Sequence, residues 1–359
     1  MVAVVNPIYN NFLLGVGLHS SDKELAQGSA EVDFSLTTRT WCDTAKTVAL
    51  LLLQIVLFPW GLYEAVRWCV QRLVMILQYP AQSWVVKSCF AKRFGTERLD
   101  ELRLDAGRNP EFIVRHVTLE KDGTKFSGIL LAKPETINNG KWVLQVGGNC
   151  ATAEGDSYLS QPYQEAGYNT LLVNNPGVGR SEGIATPETI RQCQNTAIAY
   201  LKTALKAHRI VLAGYSLGGG GIGQAIEQYD FENSQTDFLV VRQMTFARAS
   251  EMAGEVVSFL PECFSSCVAH WTDCEMDNVK SSEILSKHNI REIIIQGDRD
   301  IVIPLEYSLL QGVTASENRK THILEDVGHN DSYPVIAKTV EEILIWDFEQ
   351  DIATLGIAE

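Results

Sequence analysis

The stretch Arg209-Ile210-Val211-Leu212-Ala213-Gly214-Tyr215-Ser216-Leu217-Gly218 decides the fold. Its first five residues form an apolar run rich in branched side chains, which reads as a buried strand. Gln224-Ala225-Ile226-Glu227, a few residues on, reads as helix. Ser216 therefore sits on a strand-to-helix turn, where the chain reverses so sharply that the residues two positions to either side, Gly214 and Gly218, must be small. Such a turn lifts the serine Oγ above the sheet and aims a helix N-terminus at whatever bonds to it. The pattern G-x-S-x-G alone arises by chance about once in seven or eight chains of this length, and the strand–turn–helix context removes most of those matches.

Outward from this turn, β-rich runs recur at 112–119, 125–131, 141–146, 168–173, 238–246, 291–296 and 320–324. Helical stretches such as 187–207 and 334–351 lie between most of them. The middle runs carry almost no polar residue, the pattern of parallel strands covered on both faces. The sequence thus predicts an α/β fold with a mostly parallel eight-stranded sheet and helices on both faces, with ligands at the carboxyl ends of the strands. Two further strands deliver polar residues to that edge. One ends in Gly297-Asp298-Arg299-Asp300, the other in Glu325-Asp326-Val327-Gly328-His329. A serine hydroxyl needs a base to remove its proton and an acid to orient the base, and the order Ser216, Asp300, His329 supplies all three. Asp298 is the alternative acid. Asp331, too close to His329 along the chain, reads as a surface or capping residue.

Residues 108–359 resemble the α/β-hydrolase superfamily of serine esterases, lipases, thioesterases and peptidases. The resemblance rests on the elbow at Ser216, on Val146-Gly147-Gly148-Asn149, on Asn174-Asn175-Pro176-Gly177-Val178-Gly179-Arg180-Ser181-Glu182-Gly183, and on the Asp300 and His329 segments. Gly147 replaces a histidine common in the family, and Asn175-Pro176 replaces a common Asp/Tyr-x-Gly start. The resemblance implies Ser216 as nucleophile, His329 as base and Asp300 as its acid, with the backbone N–H groups of Leu217 and Asn149 as oxyanion hole. It implies cleavage of an ester or thioester through an acyl-enzyme, with an amidase or peptidase, or a non-catalytic scaffold, as the alternatives. No metal or organic cofactor is required. The apolar N-terminal region, the Gly-Gly-Asn loop and the Asn-Asn-Pro-Gly turn together resemble α/β-hydrolase-like proteins of chlamydiae and other intracellular bacteria.

The chain has 359 residues, 45% of them hydrophobic, enough for a large core. Its net charge of −14 and lack of a basic run argue against nucleic-acid binding. Residues 1–45 read as a loosely ordered lead-in without a secretory signal, and residues 46–107 as an apolar helical extension. Thr47 to Tyr63 contains no charge, nor does Leu73 to Val86. As a helix the first run spans about 26 Å, short of a roughly 30 Å hydrocarbon core, and Pro59 is expected to break it near its end. The segment 47–86 fits a buried helical layer or an interfacial membrane contact better than a span. A cytoplasmic or membrane-associated location follows, with an acyl or lipid ester as the expected partner molecule.

Residues 248–290 are expected to roof the site with short helices. Cys263, Cys267, His270 and Cys274 lie there at i, i+4, i+7 and i+11, one face of a single helix, and so cannot close a tetrahedron around one metal ion. A buried stripe of small residues is the reading adopted. The glycine run from Gly218 lacks the strand and acidic residue of a dinucleotide site. Scattered cysteines in a chain this long suit a reducing compartment.

Overall fold

Runs such as Ile210-Val211-Leu212-Ala213 and Ile293-Ile294-Ile295 are stable as strands only when both faces are covered, and in the computed structural model all seven residues are buried. The structure describes residues 2–5, 31–37, 58–79, 82, 100, 112–256 and 262–354. Among these the strands are β1 (Val2–Val5), β2 (Glu31–Thr37), β3 (Ile113–Lys121), β4 (Thr124–Ala132), β5 (Lys141–Val146), β6 (Asn169–Val173), β7 (Arg209–Tyr215), β8 (Asp237–Gln243), β9 (Arg291–Gly297) and β10 (Arg319–Leu324). The helices of eight residues or more are α1 (Phe58–Gln78), α2 (Pro187–Ala199), α3 (Leu217–Ile226), α4 (Ala249–Val256), α5 (Glu262–Trp271), α6 (Asn278–Lys287) and α7 (Ser332–Thr354).

The sheet runs β1-β2-β3-β4-β6-β5-β7-β8-β9-β10. From β6 to β10 every pairing is parallel, whereas β3 and β4 pair antiparallel to each other and β4 pairs antiparallel to β6. The eight strands β3 to β10 are the expected sheet, and it is mixed at one end. Its two faces bury separate clusters. One gathers Trp142, Ile198, Tyr200, Ile222 and Phe231, the other Tyr163, Tyr168, Val335, Ile343 and Trp346. Asp347 fastens α7 to the sheet by accepting from Lys141 Nζ (2.6 Å), Tyr168 Oη (2.6 Å) and Arg209 Nη1 (2.9 Å).

Register places the chemistry. Val146 pairs with Gly214, Tyr215 with Gln243, and Leu324 with Gly297, so β5, β7, β8, β9 and β10 all end along one edge. The segments that follow therefore emerge side by side, as expected for a parallel sheet.

Several expectations need correction. Residues 2–5 and 31–37, in the segment expected to be loosely ordered, form strands; β2 adds parallel to β3 and β1 antiparallel to β2. The signal was present, because Val32, Phe34 and Leu36 alternate with Glu31, Asp33 and Ser35. Pro59 does not end a helix. It lies in the first turn of α1, where a missing N–H costs nothing, and the run 47–57 lies outside the described residues. No helix among the described residues is long and apolar enough to cross a membrane. The run 238–246 stops as a strand at Gln243, because Met244 takes a positive φ of 50°. Within 248–290, α6 is not roof: Asp277 caps it, and Asn278, Ser281 and Leu285 bury it beside α3 as the crossover between β8 and β9.

Beneath the elbow lies a buried ionic network. Arg242 and Glu292 have no solvent exposure. Arg242 donates to Asn278 Oδ1 (2.8 Å), Ser281 Oγ (2.6 Å) and the Gly219 carbonyl, and its Nε lies 3.5 Å from Glu292 Oε1. Glu292 also accepts from Arg319 Nε (2.7 Å) and Ser282 Oγ (2.7 Å). Burial pulls the Arg242 guanidinium down to about 10 despite the adjacent carboxylate. Breaking a buried pair by removing one partner costs about 3–5 kcal/mol. Glu292→Leu, which leaves two guanidiniums uncompensated, is expected to lower unfolding stability by that amount in urea titration.

Candidate active site

Ser216 adopts φ 52° and ψ −121°, a strained conformation for a residue with a side chain. Close packing holds it there. A Cβ on Gly214 would stand 2.8 Å from the Gly218 carbonyl oxygen, and one on Gly218 would collide with the Val146 carbonyl at the end of β5. The Ser216 N–H donates to the Gln243 carbonyl (2.8 Å), and Thr245 Oγ1 donates to the Ser216 carbonyl (2.7 Å). Leu217 is the first residue of α3, so its N–H belongs to the helix turn that lacks intrahelical acceptors.

His329 and Asp300 meet Ser216 at this edge. His329 Nε2 lies 3.0 Å from Ser216 Oγ, and His329 Nδ1 lies 2.7 Å from Asp300 Oδ2. Asp300 Oδ1 accepts from the N–H groups of Val302 (2.9 Å) and Ile303 (2.7 Å), and Oδ2 also accepts from Gln296 Nε2 (3.0 Å). With the carboxylate fixed as acceptor, the imidazole tautomer assigned by this network carries its proton on Nδ1 and turns the Nε2 lone pair to the serine. The Asp300 side chain is wholly buried and that of His329 is 9% exposed, so little water competes for these bonds.

The other sequence candidates take different places. Asp298 Oδ1 accepts from the Val327 N–H (3.3 Å), a loop-to-loop bond ahead of His329. Asp331 Oδ2 accepts from the Gly328 N–H (2.8 Å) and braces the same loop. Asn149 is exposed, and its Oδ1 faces Cys150 Sγ at 3.5 Å. The preceding residue runs nearest the serine: a Cβ on Gly148 would lie 3.6 Å from Ser216 Oγ. The short helix that follows this loop is anchored by Asn174, whose Oδ1 accepts from the Ala153 N–H (2.7 Å) and whose Nδ2 donates to Glu154 Oε2 (2.9 Å).

The cysteine stripe is not one helix face. α5 ends at Trp271, so Cys274 lies beyond it and is buried, while Cys267 and His270 are exposed. Thr272 and Asp273 break the helical run. Among the described residues no group of three or more His, Cys, Asp or Glu is arranged to hold a metal ion.

Two contributors went unremarked in the sequence. Gln296, the last side chain of β9 and fully buried, bridges Asp300 to the Ile303 carbonyl (3.1 Å). Its signal was a polar residue closing the run Ile293-Ile294-Ile295. Tyr215 donates its hydroxyl to the His329 carbonyl and stacks edge-on to the imidazole at 5.8 Å between centroids. Burial pushes the Tyr215 hydroxyl up to about 12, so it remains a donor through the neutral and moderately alkaline range. Cover over Leu217 comes from α1, α4 and the 274–276 segment: Met75, Tyr79, Ala249, Cys274, Met276 and Ile303 share its apolar cluster.

Comparison with known proteins agrees with this architecture. A family model described as "Chlamydia CHLPS protein (DUF818)" matches residues 24–305. The protein YfhR of Escherichia coli K12, uncharacterised, is 23% identical over 221 residues, covering 59% of this chain and 72% of YfhR. An alpha-beta hydrolase from Vibrio vulnificus superposes with a TM-score of 0.51 at 20% identity, covering 73% of this chain and 93% of that one. The Pyrococcus furiosus esterase Pf2001 gives a TM-score of 0.49 at 17% identity, covering 65% and 91%. The fold is that of the α/β-hydrolases.

The short His329–Asp300 contact predicts a proton resonance downfield of the amide envelope in a one-dimensional NMR spectrum. Asp300→Ala is expected to abolish it, and Gln296→Leu to broaden it by faster exchange with water.

Proposed function

The chain belongs to the family described as Chlamydia CHLPS protein (DUF818), and from that premise we propose that this member is a serine hydrolase acting on carboxylic esters or thioesters. The observation that carries the reading is the continuous relay from Ser216 Oγ through His329 to Asp300, at 3.0 and 2.7 Å. A serine hydroxyl is a weak nucleophile until a neighbouring base takes its proton. In the proposed reaction His329 Nε2 accepts that proton as Ser216 Oγ attacks the acyl carbonyl. Asp300 stabilises the imidazolium while remaining ionised. The Leu217 N–H, together with an N–H of the 147–149 loop, bonds the oxygen as it becomes negative. His329 then protonates the leaving alcohol or thiol. Water, deprotonated by the same imidazole, attacks the acyl-enzyme and releases the acid.

Leu217, the residue after Ser216, packs in an apolar cluster with Met75, Tyr79, Phe246, Met276 and Ile303, surroundings that suit an acyl ester better than a polar peptide. An amidase of the same mechanism is the competing reading.

A fluorophosphonate probe is expected to label the wild-type protein and not Ser216→Ala. Hydrolysis of p-nitrophenyl butyrate is expected to fall at least about 10⁴-fold in Ser216→Ala and in His329→Ala. Aminoacyl p-nitroanilides are expected to turn over far more slowly than the ester. Labelling of Ser216→Ala at the wild-type rate excludes this nucleophile, and faster anilide than ester turnover selects the amidase.

A further inference from the structure

The helix α1 has two unlike sides. Its inner side is fastened to the body. Arg67 Nε donates to the Trp271 carbonyl (2.7 Å), Gln71 Nε2 donates to the Thr272 carbonyl (2.8 Å), and Arg67 pairs with Asp273. Met75 and Tyr79 are buried in the cluster over Leu217. Its outer side exposes Leu62, Val66, Cys69, Leu73, Ile76 and Leu77, spaced i, i+4, i+7, i+11, i+14 and i+15. These positions form one stripe about 22 Å long. Single exposed apolar side chains are ordinary, but Leu73 and Leu77 are 58% and 69% exposed within a continuous row. A helix that turns one apolar face to the core and another outward has a second contact to make.

Charge identifies that contact. Between residues 46 and 93 the sequence holds six basic residues (Lys46, Arg67, Arg72, Lys87, Lys92 and Arg93) and one acidic residue, Glu64. The whole chain carries −14. Along the sequence, positive charge is thus concentrated in this apolar segment of an acidic protein. In the sequence the uncharged run Thr47 to Leu57 immediately precedes α1. Tyr63, beside the stripe, accepts from Trp271 Nε1 (2.8 Å), while Trp68, half-exposed on the side of the helix that carries Met75, has the Arg72 guanidinium 4.6 Å above its ring. An exposed apolar stripe on a helix whose neighbouring sequence is basic is the combination by which a helix lies in the plane of an anionic bilayer.

We propose that the outer face of α1 docks this protein on the surface of an anionic phospholipid bilayer, with the helix lying along the interface and the body held in water by its inner-side bonds. The proposal does not depend on the chemistry of Ser216. Docking through α1 nevertheless brings lipid to the element whose other side covers Leu217.

The test uses the full chain and vesicles of phosphatidylcholine with about 30% phosphatidylglycerol. Wild-type protein is expected to sediment with these vesicles, and binding to weaken in about 0.5 M salt, where surface charge is screened within a few ångströms. The variant carrying Leu62→Gln, Val66→Gln, Leu73→Gln and Leu77→Gln is expected to bind at least about tenfold more weakly. These side chains are exposed, so its far-ultraviolet dichroism and p-nitrophenyl ester turnover should match wild type. In the wild-type chain, alkylation of Cys69 by a water-soluble maleimide, followed by peptide mass spectrometry, should slow severalfold when vesicles are added. Three results overturn the proposal: wild type that stays in solution, a variant or Cys69 rate unchanged by vesicles, or a wild-type dimer that the variant abolishes without any vesicle binding.

Discussion

Everything at the edge of this sheet depends on one backbone conformation, the positive φ of Ser216. It costs roughly 1–3 kcal/mol, and such strain persists only where the surroundings leave the chain no alternative. Here the surroundings act from three sides. β5 presses its terminal carbonyl against Gly218, β8 accepts the Ser216 N–H through Gln243, and Thr245 holds the Ser216 carbonyl. Arg242 reaches the Gly219 carbonyl from below and ties the first turn of α3 to α6 and, through Glu292, to β9. The strained turn is therefore braced by the sheet that carries Asp300 and by the helix crossing to it. Fixing the serine and fixing its partners are one structural problem.

That coupling explains why the imidazole arrives within hydrogen-bond reach although 113 residues separate it from the serine. The loop after β10 is too long to hold a ring by itself. It is braced internally by Asp331 on Gly328, across to the β9 loop by Asp298 on Val327, and to the elbow by the Tyr215 hydroxyl on the His329 carbonyl. Asp298, which sequence spacing offers as an alternative acid, bonds the loop that carries His329. The Asp300 carboxylate accepts from two backbone N–H groups, from Gln296 and from the ring, so its direction is set by four donors rather than by the histidine alone.

The parts legible in the sequence were those set by local rules. A glycine pair flanking a serine between strand and helix specifies its turn wherever it occurs, and long apolar runs require burial on both faces, so β5 to β9 and the edge they share are legible in the sequence. What escaped reading depends on tertiary neighbours. Gln296 matters because Asp300 folds back upon it, and Tyr215 because the His329 loop passes over it. The helical spacing of Cys263 to Cys274 suggested one continuous face, but α5 ends at Trp271 and the chain turns to meet Arg67 and Gln71. Helix length there is fixed by contact with α1, which a periodicity argument within one segment does not see. β2 is a different case, since the alternation of Val32, Phe34 and Leu36 with Glu31, Asp33 and Ser35 is local and plain in the sequence.

The same contacts change how the N-terminal extension is understood. An appended anchor would leave the hydrolase-like body complete without it. α1 instead places Met75 and Tyr79 against Leu217, Phe246 and Met276, with the Tyr79 hydroxyl 3.7 Å from Met276 Sδ. Gln82, just beyond the helix, accepts from the Ala185 N–H at the entry to α2 and donates to the Met75 carbonyl. The contacts with Met276 and Ala185 cross from the extension to the segments that lead into α6 and α2. The extension is thus packed into the body as well as turned outward. Because α1 and the residue after Ser216 share one close-packed cluster, and close-packed interiors transmit small shifts instead of absorbing them, a displacement of α1 is expected to reach this turn through packed side chains.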